Sequence, residues 1–362
     1  MTNATSLYVH VPFCRHLCNY CDFYKVKHSN SAELERFSQF LTSSWLHHKN
    51  LLTEQAVVIK SWETIYLGGG TPSLWGEKGA LDFANLIKEI PTTNNCEFTM
   101  EVDPGTWTEN LLKSWQDIGL NRISVGTQAL DEKFLNILDR SHSLDESLNF
   151  LNFLNQHHWN FSLDFLLGAP FSIENKRDLK REIDLLLSYG PKHISLYILN
   201  ARSKYPHLSA IPHDDYVRDE YLFVSDYLGS KGFIHYEVSN FALPGFESKH
   251  NQKYWRSETV LGLGPSAVGY LNLRSDFALR YKWKVSQPTF QLEELKTEEI
   301  ELEKMYLSLR TLEGMPLNKL PSQVTSSWIS QGLAHISGER LILTPKGWVI
   351  LDSLMDDIFR AS

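Results

Sequence analysis

The chain has 362 residues, 42% hydrophobic and 22% charged, with a net charge of −8, the make-up of a globular protein long enough for one large domain or two. The excess of acid argues against a general nucleic-acid binder, which needs a surplus of Lys and Arg, and no apolar run approaches the roughly 20 residues that cross a bilayer. The opening MTNATSLYVHVPF has neither a basic n-region nor a long apolar h-region, so a cytoplasmic location is expected, where thiols stay reduced.

Strand-like and helix-like segments alternate from the start. SLYVHV (Ser6–Val11) reads as a first strand, and ETIYLGGG runs from apolar residues into Gly68–Gly70. EFTMEVDPG, RISVGTQ, FSLDFLLGAP and HISLYIL follow at the spacing of βαβ units. The segments between them read as helices. In NKRDLKREIDLLLSYGP, Leu179, Ile183, Leu186 and Leu187 share one face and Gly190 with Pro191 ends the run. Six such units predict an α/β fold, a parallel sheet curled into a partial (β/α)6 TIM-like barrel with its chemistry at the carboxyl ends of the strands. Those ends carry Cys14, Gly68–Gly70 with Thr71, Glu101, Gln128 and Asp164. Any one of them is compatible with a plain turn; five in succession favour a shared site.

After about residue 205 the pattern changes. DDYVRDEYLFVSDYLGSKGF reads as a helix, IHYEVSNFALPGFESKHNQKYW as strand and loop, and the chain is helical again from about Glu294. SSWISQGLAHISGERLILTPKGWVILDSLMDDIF has the order helix, Gly332, two short strands, helix, which resembles a winged helix; its acidic DSLMDDIF points to a packing or partner module rather than a DNA reader. The predicted division is 1–205 for the barrel, 206–293 for an extension of it, and 294–362 for a helical, winged-helix-like C-terminal domain.

Three of the four cysteines, Cys14, Cys18 and Cys21, stand within eight residues in YVHVPFCRHLCNYCDFYKV, among Arg15, His16, Asn19 and Asp22 rather than in an apolar strand. A structural zinc site wants four ligands, usually in paired knuckles. Here the fourth would have to be His16 or the distant Cys96. An iron–sulfur cluster fits better, because thiolates are its usual ligands and three of them leave a cubane's fourth iron open.

C-x3-C-x2-C after a first strand, followed by GGGTP after the second, resembles the radical S-adenosylmethionine (SAM) superfamily, in which SAM chelates that open iron and one electron cleaves its sulfonium. YVHVPFC, YLGGGTPSL, EVDPGT, NRISVGTQ, SLDFLLGAP, YEVSNFALPG, KHNQKYW and GLGPSAVG extend the resemblance over nearly the whole chain, to the family that holds oxygen-independent coproporphyrinogen III oxidase, HemN, and the haem chaperone HemW.

The resemblance implies a 4Fe–4S cluster on Cys14, Cys18 and Cys21, SAM, haem, an unnamed haem acceptor protein, and an electron donor such as flavodoxin or ferredoxin. Tyr8 and Tyr20 match aromatic contacts of the SAM site. Gly69, Gly70 and Thr71 match the seat of its amino acid moiety, the glycines letting the backbone approach without a Cβ. Glu101 matches the amino-group partner, Gln128 a further polar contact, Arg140 a carboxylate partner and Asp164 a ribose partner; Ile198 and Val268 match apolar positions. On the residues alone, Glu101 and Asp164 also suit strand-end carboxylates that accept loop N–H bonds. KHNQKYW matches the H-N-x-x-Y-W signature proposed for haem binding, with His250 and Asn251 at its core; a packed, backbone-bonded histidine is the alternative reading of His250. His10 shares a strand face with Tyr8, and His142 is a lesser candidate.

Cys21-Asp22-Phe23 lacks the further cysteine of HemN, and thirteen residues precede Cys14 where HemN has an extension. Both point towards the chaperone branch, without coproporphyrinogen oxidase activity. Asp103 stands where that branch commonly has Asn, and Asp139 where Gly is usual.

Overall fold

The structure is a computed structural model that describes residues 2–201 and 203–361. Six strands form its centre: β1 (Ser6–Val11), β2 (Trp62–Gly69), β3 (Thr92–Val102), β4 (Arg122–Gln128), β5 (Asn160–Leu167) and β6 (His193–Ile198). They lie side by side in chain order, and every neighbouring pair is parallel. This is the run of strands expected from the sequence. Helices connect them: α1 (Ser31–Glu54), α2 (Gly76–Ile87), α3 (Glu109–Gln116), α4 (Glu132–Ile137) with α5 (Leu144–Gln156), and α6 (Leu179–Ser188).

The period-two alternation of the strands sorts their side chains onto two unlike faces. On one face Leu7, Val9, Ile65, Leu67, Phe98, Met100, Ile123, Val125, Leu163 and Leu196 are buried with Phe37, Leu41, Phe83, Trp115, Phe150 and Ile183 of the helices, the main core. On the other stand Tyr8, His10, Tyr66, Thr99, Glu101, Arg122, Ser124, Ser162, Asp164, His193 and Ser195, almost all polar. The oily face holds the fold together and the polar face is left for chemistry. Burying the apolar set stabilises the fold at roughly 25 cal/mol per Å² removed from water.

The sheet continues past both ends of this run. On the β6 side, β7 (Ile234–Glu237) and β8 (Asn240–Ala242) form an antiparallel edge. On the other side β9 (Val260–Leu263) pairs parallel with β1, and β10 (Val268–Arg274), β11 (Phe277–Trp283) and β12 (Phe290–Lys296) extend it antiparallel. Twelve strands thus make one open sheet whose two edges do not pair among the described residues. Two local readings need correction. KHNQKYW is not loop but a short helix, α8 (Lys249–Trp255), capped by the Ser248 hydroxyl on Asn251 N. The late helical region starts with α9 (Thr297–Ser308), because residues around Glu294 pair with β11 in the edge strand β12.

The remainder, α7 (Asp214–Ser230) apart, is a C-terminal unit: β13 (Met315–Pro316), α10 (Ser322–Ser330), β14 (Ala334–Ser337), β15 (Arg340–Leu343), α11 (Pro345–Val349) and α12 (Leu351–Ala361). It has its own core around Trp328, Leu341, Leu343, Trp348 and Leu354. Among the described residues no helix is long and apolar enough to cross a membrane.

Candidate cluster and cofactor site

The segment after β1 turns over the carboxyl ends of β1–β4. Phe13–Cys14 pairs with Val26–Lys27, and His28 N bonds Cys14 O at 2.8 Å, which closes the loop carrying Cys18 and Cys21. Side chains then tie the loop to the strand ends opposite. Arg15 donates to Gly105 O at 2.9 Å and to Ser141 O at 3.1 Å, and His16 Nε2 lies 2.9 Å from Asp139 Oδ1. Asp139 has φ +55°, a left-handed conformation that favours glycine but that Asp tolerates better than most residues. That is why aspartate can stand here in place of the usual glycine, and its carboxylate gains a partner in the cysteine loop.

Beneath the loop is a cavity of about 470 Å³ lined by all three cysteines. Tyr20, Gly69, Gly70, Thr71, Glu101, Gln128, Arg140 and Asp164 line it too. Eleven residues expected from the sequence at the cluster or SAM contacts, the three cysteines among them, thus meet at one cavity. The rim adds apolar Phe23, Leu166, Ile198 and Leu199. All four cysteines are free thiols, and Cys96, in β3, is not among the cavity residues.

The donor set suits an iron–sulfur cluster. Among the described residues no three His, Cys, Asp or Glu side chains gather tightly enough for one metal ion; the thiols instead stand around a shared cavity, each near enough to influence another's charge. Burial pushes the Cys14 thiol up to about 11, against the opposing pull of a hydrogen bond with Thr71. A thiol in that state needs a cationic partner before it gives up its proton, and bound iron supplies one.

The glycine run is also needed for packing against the cysteine loop. A Cβ on Gly70 would stand 2.6 Å from Phe13 O and 2.7 Å from Pro12 C, so its bare Cα admits the cysteine loop. Gly69 has φ +109°, and a Cβ there would meet the His10 ring at 2.4 Å. The amides are also spent: Gly69 N donates to Glu101 Oε2 at 3.0 Å, Gly70 N to Val11 O at 2.8 Å and Thr71 N to Phe13 O at 2.6 Å. What the run can offer a ligand is carbonyl oxygens. His10 is a prop below it, with Nδ1 3.0 Å from Tyr8 Oη and Nε2 2.8 Å from Tyr24 O.

Glu101 and Asp164 form a negative wall. Glu101 accepts from Tyr66 Oη at 2.9 Å as well as from Gly69 N, so the loop-accepting role is present. Burial, followed by the charge of Asp164, still pushes Glu101 up to about 7. Burial likewise pushes Asp164 up to about 6, against hydrogen bonds from Ser195 and Ser124. Two crowded carboxyls held above their ordinary range are a suitable partner for a cationic group. The folded-state value of Glu101 exceeds its unfolded one, so its stability contribution is full below about pH 4 and lost as pH rises towards 7. Glu101→Gln is therefore expected to raise the melting temperature of the ligand-free protein at pH 7.5 by about 1–3 °C and to weaken a cationic ligand by about tenfold. Calorimetry and thermal melts check both; an unchanged affinity for SAM would contradict the wall's assignment.

Two residues expected at ligands lie elsewhere. Tyr8 is below the cavity floor, its ring against Tyr66 and His250. His250 is 1% exposed: its Nδ1 is 2.8 Å from Thr64 Oγ1, and its ring stacks on Tyr66 at 5.2 Å and meets Tyr254 edge-on. Burial pushes it down to about 3. As an axial haem ligand it has no open approach, since Tyr66 and Tyr254 cover the ring, so the packed reading of this histidine describes the structure. Ile198 is on the cavity rim and Val268 is not. Asp103, to which the sequence assigned no ligand role, bonds Arg140 at the cavity, and His142, the lesser candidate, bonds Asp103 from behind it.

Residues 8–186 match the radical SAM superfamily. Curated relatives named haem chaperone HemW run the length of the chain. The one from Lactococcus lactis is 30% identical over 99% of this chain and 99% of its own, and that of Mycobacterium tuberculosis 28% identical over 96% and 93%. The one from Synechocystis is 29% identical over 88% and 81%. Among solved structures, the coproporphyrinogen III oxidase HemN of Escherichia coli superposes with a TM-score of 0.78 at 17% identity, covering 98% of this chain and 89% of that one, a likeness of fold. With the cysteine loop, the strand-end cavity and end-to-end similarity all in agreement, the chain belongs to the radical SAM superfamily and, within it, to the HemN/HemW family on the HemW side.

Proposed function

We propose that this chain is a cytoplasmic haem chaperone that carries a 4Fe–4S cluster on Cys14, Cys18 and Cys21, admits SAM to the adjoining cavity, and passes haem to an acceptor protein. The observation that carries the reading is the similarity to HemW chaperones over the full length. Bound there, the cluster would supply single electrons, received from a donor of the flavodoxin or ferredoxin kind. Glu101 and the carbonyls of Gly69 and Gly70 suit SAM's ammonium, Gln128 its polar groups, and Asp164 its ribose hydroxyls, while Tyr20 walls the cavity beside Cys18. The parts divide as 1–205 for the cluster and SAM, 206–293 for the strands and α8 that extend the sheet, and 294–362 for a module available to an acceptor.

The haem itself is better accommodated at the rim than at His250. Phe23 is 68% exposed and Ile198 45%, both beside the cavity, and flat apolar surface is what a porphyrin face covers. Phe23→Glu is expected to weaken haem binding by about tenfold in a spectroscopic titration. His250→Ala should cost stability, about 2–4 kcal/mol for a buried, stacked and hydrogen-bonded ring, and change haem affinity less than about twofold. A folded His250→Ala protein that has lost haem binding would restore that histidine as the ligand.

A further inference from the structure

The ordinary expectation for Arg140 is a salt bridge to a ligand carboxylate, yet both terminal nitrogens of its guanidinium are already engaged, and only Nε is left without a partner among the described residues. Nη2 donates to Asp103 Oδ2 at 2.7 Å and to Gly126 O at 3.2 Å; Nη1 lies 3.2 Å from Tyr20 Oη and 3.7 Å from Cys18 Sγ. Asp103 is fixed in turn, with Oδ2 3.1 Å from His142 Nδ1 and Oδ1 accepting from Gly105 N at 3.0 Å. The side chains of Arg140 and Asp103 are 13% and 12% exposed and that of His142 is not exposed at all, so this is an enclosed assembly and not a surface pair. Burial alone would raise the Asp103 carboxyl, but the His142 hydrogen bond and the Arg140 charge reverse it and hold the group down at about 2. Asp103 is therefore an anion throughout the neutral range. A neutral Asn in its place would bond the guanidinium without balancing its charge.

We propose that Arg140, positioned by Asp103 and His142, sets the reduction potential of the cluster by donating an N–H hydrogen bond to the Cys18 sulfur. The proposal rests on the reading that Cys14, Cys18 and Cys21 hold that cluster. Reduction adds one electron, from a one-electron reductant, to a unit that is already surrounded by thiolate charge. A cationic donor at a ligand sulfur stabilises the more negative, reduced form and so raises the potential; hydrogen bonds to sulfur and local net charge are two of the recognised determinants. Asp103 does two things at once. It holds the guanidinium in reach of Cys18, and its negative charge moderates how far the potential rises.

The two residues therefore act with opposite sign, which a purely structural role would not produce. The test uses anaerobically reconstituted full-length holoprotein, with iron and sulfide counted before an EPR-monitored redox titration. Arg140→Met is expected to shift the reduction equilibrium at least tenfold towards the oxidised form, which is 59 mV for one electron. Arg140→Lys should recover part of that shift. Asp103→Asn, which keeps an acceptor oxygen but drops the charge, should move the midpoint the other way.

A midpoint unmoved in Arg140→Met at full iron content, or a shift of the same sign in Arg140→Met and Asp103→Asn, overturns the proposal. Should Arg140→Met fail to assemble a cluster, Asp103→Asn decides alone: a raised midpoint supports the proposal, and a lowered or unchanged one overturns it. Wild-type protein without iron would instead fail the cluster reading, and this inference with it; iron present with an unmoved midpoint fails the inference by itself.

Discussion

Replacing Cys14, Cys18 or Cys21 with Ala is expected to strip the anaerobically prepared protein of most of its iron and brown absorbance, whereas Cys96→Ala leaves both nearly unchanged. The three thiols line one cavity with no other cysteine among its residues, so no substitute thiolate is at hand. The fold should survive each change. The loop is closed by main-chain bonds, Val26 N to Pro12 O and His28 N to Cys14 O, both 2.8 Å, and by the Arg15 and His16 ties, none of which uses a thiol. Cys96 sits in β3 with its carbonyl taking the Asn121 amide at 2.7 Å, and burial pushes its thiol up to about 11, the state of an inert structural cysteine. Iron and sulfide analysis with far-UV circular dichroism separates loss of ligand from loss of fold. Loss of the cluster in Cys96→Ala alone would overturn the ligand assignment.

The second large effect is expected at Gly70. A valine there would place its Cβ inside contact distance of backbone atoms of both Pro12 and Phe13, and backbone cannot swing aside as a flexible side chain does. The strand end would have to part from the cysteine loop and break the Gly70 N–Val11 O and Thr71 N–Phe13 O bonds. We expect a loss of about 3 kcal/mol or more and, with the loop displaced, a fall in cluster occupancy alongside the fall in SAM affinity. Gly229→Ala is the matched control: it lies in α7 with open space around it and should be neutral or slightly stabilising. A Gly70→Val protein with full iron and only SAM affinity reduced would mean that the glycine clears room for the ligand instead.

These two expectations also mark what the sequence discloses. Cys14, Cys18 and Cys21 are close in the chain and of a residue type otherwise almost absent, so their convergence can be read directly. Polar residues at the ends of apolar runs were equally legible, because strand order followed chain order from β1 to β6 and brought equivalent positions to one edge. The purpose of Gly70 was not legible: the atoms that crowd it belong to Pro12 and Phe13, some 57 residues away in sequence. The same holds for the joining of Asp103 to Arg140 and His142, which come from the loop after β3 and from the turn between α4 and α5, 37 and 39 residues apart in sequence.

His250 shows the opposite hazard. H-N-x-x-Y-W offers an imidazole beside aromatic rings, which suits a porphyrin as well as a packed interior. The tertiary structure settles its surroundings: Ser248, Lys249 and His250 present main-chain or hydroxyl donors to Glu97 at 2.9 to 3.4 Å, and this draws the helix start into the sheet and turns the ring onto Tyr66. Nor does the alternation of strands and helices reveal that Val260–Leu263 returns to pair beside β1. A four-residue apolar strand carries no mark of its neighbour.

Haem delivery by a cluster-bearing protein and oxidative decarboxylation of a porphyrin precursor differ in what the protein holds and what it turns over. The most direct measurement takes one anaerobic preparation with its cluster, SAM and reductant present, and assays in parallel haem binding and the conversion of coproporphyrinogen III to protoporphyrinogen. Near-stoichiometric haem binding is expected, with no protoporphyrinogen above the no-enzyme control. Steady multiple turnover of coproporphyrinogen, with haem bound weakly or not at all, would contradict it.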